Sequence, residues 1–260
     1  MAPREQGDVA PKRRSLPVRA FAVLRTVVIV PLFFVATLGF AMLVIVLSFL
    51  RRDSPLIDRT IRVWSRLFLL VAPATLEVEG RHHIEPGHQY VFVANHLSNF
   101  DVPVMFLATP PASIRFLAKK EVYKIPLVAQ AMNAIGIIKT DRGAGGRAHA
   151  FINEGVQAAK ARGHSLIIFP EGTRSDDGRL ASFRKGAFRI AVSSDLPVVP
   201  VTIEGTWDIW PPGAKVFYSG HAKATIHEPI PTHDLALTDI ARLTRQAQAA
   251  VAGPLGEETP

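Results

Sequence analysis

The chain has 260 residues, 48% of them apolar, with 30 Lys and Arg against 22 Asp and Glu and a formal net charge of +8. That length accommodates one globular domain and an additional segment. The absence of cysteine excludes disulfides, thiolate nucleophiles and cysteine-ligated zinc.

Residues 1–18 are polar, basic and proline-containing, a composition that predicts disorder. From Thr26 to Leu50 no residue is charged. A helix over that run is about 37 Å long at ~1.5 Å per residue, enough to cross a hydrocarbon core of about 30 Å. The run is too long for a signal-peptide core, and no small-x-small site closes it. It therefore predicts an uncleaved anchor within residues 19–72. Lys12, Arg13, Arg14, Arg19 and Arg25 flank one end, and Arg51, Arg52, Arg59 and Arg62 the other. This weak asymmetry leaves two options, a spanning helix or a helical hairpin that returns to the same side. Leu56 to Val71 suits the second arm, because it mixes Ile57, Ile61, Trp64, Leu67 and Leu70 with Arg59, Arg62 and Arg66, as an interfacial helix does. Basic residues beside an apolar segment are drawn to anionic lipid, so membrane lipids are expected partners. No nucleic acid is expected, because the basic residues lack interleaved aromatics.

Beyond the anchor, strands and helices alternate. Strands are predicted at Thr75–Glu79, Gln89–Ala94, Arg115–Ala118, Gly136–Thr140, Ser165–Phe169 and Val198–Ile203, with one or two more in Lys215–Ile226. Asp101 and Pro103 open a helix. Further helices are predicted at Glu121–Ala134, Arg147–Arg162, Phe183–Ser193 and Leu237–Val251. The pattern predicts an α/β domain over residues 73–252, with a mixed, largely parallel sheet flanked by helices. Residues 253–260 are expected to form a flexible tail.

Two polar motifs follow apolar runs: Asn95-His96-Leu97-Ser98-Asn99-Phe100-Asp101 and Phe169-Pro170-Glu171-Gly172-Thr173-Arg174-Ser175. Residues that follow strands gather at the carboxyl edge of an α/β sheet, where ligands bind. His96 and Asp101 would diverge on a continuous helix but can meet across a strand-to-helix turn. Two readings of Asp101 stand open. It orients His96 as the acid of a base–acid dyad, or it caps the helix together with Ser98 in a capping box. Serine as nucleophile is disfavoured, since no G-x-S-x-G elbow is present. Gly172 allows close backbone approach, and Arg174 offers a fork for phosphate. Arg142, in Asp141-Arg142-Gly143, is a second cation after a strand. His82, His83 and His88 show no metal-ligand spacing and read as surface residues. No metal and no cofactor are expected.

Taken in order, these motifs resemble the glycerophospholipid acyltransferases, specifically the 1-acyl-sn-glycerol-3-phosphate acyltransferases. The first motif matches N-H-x-x-x-x-D at Asn95 to Asp101. The second ends in an arginine, here Gly136 to Arg142, with Lys139 where the family often has phenylalanine. The third, F-P-E-G-T-R-S, matches at all seven positions, and the fourth is the strand Val198-Val199-Pro200-Val201. Phe183-Arg184-Lys185-Gly186 resembles the stretch that commonly follows the third motif. The resemblance implies transfer of a fatty acyl group from acyl-CoA or acyl-carrier protein to the sn-2 hydroxyl of lysophosphatidic acid, giving phosphatidic acid. His96 would take the hydroxyl proton, oriented by Asp101. Arg142, Glu171, Gly172, Thr173 and Arg174 would hold the glycerol phosphate. The implied location is the inner membrane, with the catalytic domain facing the cytosol. Another lysolipid acceptor such as a lyso-ornithine lipid, hydrolysis, and a non-catalytic lipid-binding protein are the competing readings.

Overall fold

The computed structural model describes residues 15–51, 53–110, 114–140 and 146–257. Arg142 and most of the predicted disordered segment 1–18 lie outside these residues. Two helices come first. α1 (Leu16–Leu50) starts upstream of the uncharged run, with Pro17 in its first turn, where the missing N–H has no partner to lose. The helix continues through Pro31. Its most apolar stretch has a mean hydropathy of 2.7 and is only 11% buried. It is long and apolar enough to cross a bilayer, which points to membrane association. α2 (Pro55–Val71) is capped by the Ser54 side chain, which accepts from Leu56 N at 3.3 Å. It buries Ile57, Thr60, Ile61 and Ser65 and leaves Leu56, Val63 and Leu70 exposed. Phe33 and Trp64 both pack edge-on to Phe68, with ring centroids 4.8 and 5.5 Å away. Phe68 in turn meets Phe100 at 4.9 Å, so the helix pair is tied to the first motif by aromatic contact.

The sheet has seven strands: β1 (Ala74–Glu79), β2 (Val91–Ala94), β3 (Ile114–Lys119), β4 (Ile138–Thr140), β5 (Ser165–Ile168), β6 (Val198–Glu204) and β7 (Gly220–Ile226). Their spatial order is β1-β7-β6-β2-β5-β3-β4. Every pairing is parallel except β6 with β7, so the sheet is mixed and largely parallel, as the alternation predicted. β2 sits between β5 and β6, with Val91 opposite Leu166 and Val198. Side chains alternate between the faces. Phe92, Ala94, Ile167, Val199 and Val201 enter one core, shared with α1, α2, α3 (Asp101–Ala108) and α4 (Val128–Ile135). Val91, Val93, Leu166, Ile168 and Val198 enter the other, under α5 (Gly146–Ala161), α6 (Gly186–Ser194) and α8 (Ile240–Leu255). Runs buried on both faces explain why these strands are continuously apolar.

Local structure departs from the sequence reading in four places. The helix predicted over Glu121–Ala134 is split into a 3-10 turn at Lys120–Lys124 and α4, because Pro126 cannot supply an interior N–H. α6 begins at Gly186 rather than Phe183. α8 runs through Pro254 to Leu255, so part of the expected tail is helical. A four-residue helix, α7 (Thr206–Ile209), was not anticipated.

At the amino edge of the strands, the start of α2 is held by charge. Arg115 on β3 is 1% exposed, and its Nη1 lies 3.5 Å from Asp58 of α2. Its Nη2 donates to His164 Nε2 at 3.1 Å. Burial, with the Arg115 charge beside it, pushes His164 down to about 4, so its ring is neutral and can accept that bond. Removing one partner of such a pair leaves an uncompensated interior charge. Asp58→Ala is expected to cost about 3 kcal/mol, the low end for a buried pair, because Asp58 is itself 25% exposed. Asp58→Ala combined with Arg115→Met should recover most of that loss, since an apolar side chain of similar volume needs no counter-charge. Denaturant unfolding in detergent micelles measures both. A double variant no more stable than Asp58→Ala would refute this account.

Candidate active site

Both polar motifs lie at the carboxyl ends of neighbouring strands, the first after β2 and the third after β5. The chain leaves β2 through Asn95, which is fully buried. Its Nδ2 donates to Ile203 O at 2.8 Å, and its Oδ1 accepts from Ile203 N at 2.7 Å. This pins the loop to β6. His96 follows, and its main chain is gripped on both sides by the third motif. Its N–H donates to Glu171 Oε1 at 2.6 Å, and its carbonyl accepts from Ser175 N at 2.8 Å.

Asp101 is also fully buried. Its Oδ2 accepts from His96 Nδ1 at 2.8 Å, Leu97 N at 2.6 Å and Ser98 N at 2.7 Å. Its Oδ1 accepts from Thr206 Oγ1 at 2.7 Å. The capping box does not form: the N-cap of α3 is Phe100, without a side-chain cap bond, and Ser98 Oγ accepts from Phe100 N instead. The contact with His96 is present, and one carboxylate meets the loop N–H groups and the imidazole together. An ionised carboxylate only accepts, so Nδ1 carries the proton and Nε2 keeps a lone pair. The imidazole is 18% exposed and stacks on Phe169, ring centroids 4.0 Å apart and planes 13° from parallel.

His96 lies in the wall of a cavity of about 940 Å³. Much of that wall is apolar. α1 and α2 contribute Ala41, Val44, Ile61 and Trp64, and the sheet side contributes Phe116 and Phe169. Arg174, Arg184 and Arg189 line the same space. Arg174 donates to Asn99 Oδ1 of the first motif. Arg184 and Arg189 are exposed and have no side-chain partner among the described residues. The cavity thus joins a histidine with a free nitrogen, guanidinium groups and a long apolar wall, which fits a substrate with an anionic head and a hydrocarbon tail.

The other residues singled out from sequence fall differently. Gly172 adopts φ +81°, a left-handed conformation that favours glycine, and lines the cavity. Thr173 is exposed and lies outside its wall. Glu171 is 2% exposed, and its oxygens face main-chain donors. Oε1 takes the His96 N–H, and Oε2 takes the Ala181 N–H at 3.1 Å. Burial pushes its carboxyl up to about 8, while the two N–H donors act in the opposite sense. Sequence reasoning set Phe169 and Arg184 in motifs without giving either a role at the site, and missed Thr206 behind Asp101 and Arg189 altogether. Arg189 left a signal only as a cation in the first turn of a helix that follows the third motif. Among the described residues no three His, Asp or Glu side chains cluster to hold a metal.

A profile of the family described as Acyltransferase matches residues 75–204. The 1-acyl-sn-glycerol-3-phosphate acyltransferase alpha of Homo sapiens is 32% identical over 168 residues, covering 65% of this chain and 59% of the human protein. The 1-acyl-sn-glycerol-3-phosphate acyltransferase of Limnanthes alba is 38% identical over 139 residues, covering 53% of this chain and 48% of that one. The chain thus spans less than two thirds of these relatives. A crystal structure of the 1-acyl-sn-glycerophosphate (LPA) acyltransferase PlsC from Thermotoga maritima superposes with a TM-score of 0.75 at 27% identity, covering 93% of this chain and 99% of that one.

Glu171→Gln tests the grip on His96. An amide offers one accepting oxygen, so one of the two N–H groups loses its partner, at a cost of ~1–3 kcal/mol. Thermal unfolding and turnover should both fall. Wild-type values for both would show that the two bonds carry no weight.

Proposed function

This chain belongs to the acyltransferase family, and we propose that it transfers a fatty acyl group from acyl-CoA or acyl-carrier protein to the sn-2 hydroxyl of 1-acyl-sn-glycerol 3-phosphate, giving phosphatidic acid. The observation that carries this reading is the 2.8 Å bond from His96 Nδ1 to Asp101 Oδ2 at the wall of a cavity whose lining is mostly apolar and includes the cation Arg174. The names of the relatives support the same acceptor.

In this reading His96 Nε2 removes the proton from the acceptor hydroxyl. The oxygen attacks the thioester carbonyl, forming the new C–O bond. The C–S bond breaks, and the thiolate takes the proton back from the imidazolium. A thiol with pKa about 8.5 leaves readily. Asp101 holds the tautomer and offsets the transient positive charge. Arg174 receives the acceptor phosphate, with Gly172 giving the backbone close approach. Glu171 acts through the His96 main chain rather than on substrate. The apolar wall takes hydrocarbon, and α1 keeps the site at the lipid surface, where both the lysolipid and its product reside. We place the site on the cytosolic side, where the proposed donors are.

The test is protein in liposomes, supplied with lysophosphatidic acid and acyl-CoA or acyl-carrier protein and assayed for phosphatidic acid. His96→Ala should lower turnover by ~10²–10⁴, the usual weight of a general base. Arg174→Ala should raise the acceptor KM more than the donor KM. A change confined to the donor KM would reassign Arg174. Turnover of a lyso-ornithine lipid with none of lysophosphatidic acid would change the acceptor.

Topology is tested separately. Ser15 and Ser182 are exposed, and the chain has no cysteine of its own. Ser15→Cys and Ser182→Cys, made singly, should resist a membrane-impermeant thiol reagent in intact cells and react after permeabilisation. Labelling of Ser182→Cys in intact cells would refute a cytosolic site. Labelling of Ser15→Cys alone would replace the hairpin with a single span.

A further inference from the structure

We propose that Thr206 is a positioning residue for the His96–Asp101 pair, an inference that rests on the reading of His96 as general base. β6 ends at Glu204, and Gly205 follows at φ +77°. A Cβ at Gly205 would lie 2.1 Å from His221 O, so only glycine lets the chain pass this close to β7. The turn carries Thr206 under the first motif, where it is fully buried.

A threonine hydroxyl has one proton to give. Here it goes to Asp101 Oδ1 at 2.7 Å. The other three donors to this carboxylate, His96 Nδ1, Leu97 N and Ser98 N, all meet Oδ2. Among the described residues, Thr206 therefore supplies the one hydrogen bond on Oδ1. It resists rotation about the Cβ–Cγ bond, the motion that would exchange the two oxygens and break the line from Oδ2 to the imidazole. A buried acceptor left without a donor is costly, so removing the hydroxyl favours that rotation. A second tie keeps Thr206 in register: Ser98 Oγ donates to Trp210 O at 2.7 Å, so the segment from Thr206 to Trp210 holds the loop at Ser98 and at Asp101. Thr206 acts through Asp101 and lines no part of the cavity.

A threonine that only fills space would predict lower stability and unchanged chemistry, whereas a positioning role predicts a defect in the chemical step. Wild type, Thr206→Val, Thr206→Ala, Thr206→Ser and His96→Ala are purified in detergent and checked for folding by circular dichroism. They are then assayed with lysophosphatidic acid and acyl-CoA. Thr206→Val should lower kcat on the order of tenfold, the rate equivalent of one lost hydrogen bond to a charged group, with KM for both substrates at wild type. Thr206→Ser, which keeps the hydroxyl, should restore kcat. Thr206→Ala presses no methyl group on Oδ1 and gives the same readout if the valine variant does not fold. The inference is overturned by wild-type kcat in the folded Val or Ala variant, by a loss confined to KM, or by a serine variant as slow as valine. In each case an inactive His96→Ala leaves the base intact as a reading. A fully active His96→Ala would remove that reading and this inference together.

Discussion

Asp101 has no exposed surface, and its carboxylate is met by two main-chain N–H groups, an imidazole N–H and a threonine hydroxyl. A buried carboxylate without partners would cost several kcal/mol or take up a proton. The surrounding chain is arranged to avoid that. The loop from His96 to Ser98 must curl so that two successive N–H groups point at one oxygen. The same curl places Nδ1 of the preceding histidine side chain on that oxygen. The contact that stabilises the loop thus sets the imidazole tautomer, and the shape of the loop cannot be separated from its chemistry.

That loop is held from three directions. Asn95 pairs with the Ile203 main chain on β6. Glu171 and Ser175, beyond β5, take the N–H and the carbonyl of His96. Thr206 and Trp210 support it from beneath. These anchors come from β5 and β6, the two strands that flank β2 in the sheet. Parallel neighbours deliver their carboxyl ends to one edge, which is why residues so distant in sequence arrive together. The cost of bringing them together is met by the apolar register below, where Val91, Leu166 and Val198 stand side by side.

The opposite edge has a different task. There Arg115, backed by His164, fastens Asp58 at the start of α2 to the strands. α1 and α2 then lie along one sheet face, and their side chains become one wall of the cavity that holds His96. The aromatic chain from Phe33 through Phe68 to Phe100 links α1 to the first motif. The long apolar helix is thus part of the site's architecture. Displacing it would open the apolar wall.

Local patterns in the sequence determined much of this. The uncharged run marks α1, the mixed apolar and basic stretch marks α2, and apolar runs between turn residues mark the central strands. The pairing of His96 with Asp101 was also within reach, because five positions across a turn are local. Glu171 was not. Its residue type beside Arg174 reads as a substrate contact, yet its oxygens are occupied by the N–H groups of His96 and Ala181. Thr206 left no signal, since a threonine after a glycine in a strand-end sequence resembles any turn. Arg184 and Arg189 were visible as charges, but their common cavity with Arg174 was not. Each of these depends on which strands neighbour β2 and in what register. A one-residue slip of β5 or β6 would turn every side chain to the other face and carry Glu171 or Thr206 away from the loop. Periodicity specifies that a strand exists and which of its residues are buried. Only the packed sheet decides what stands beside it.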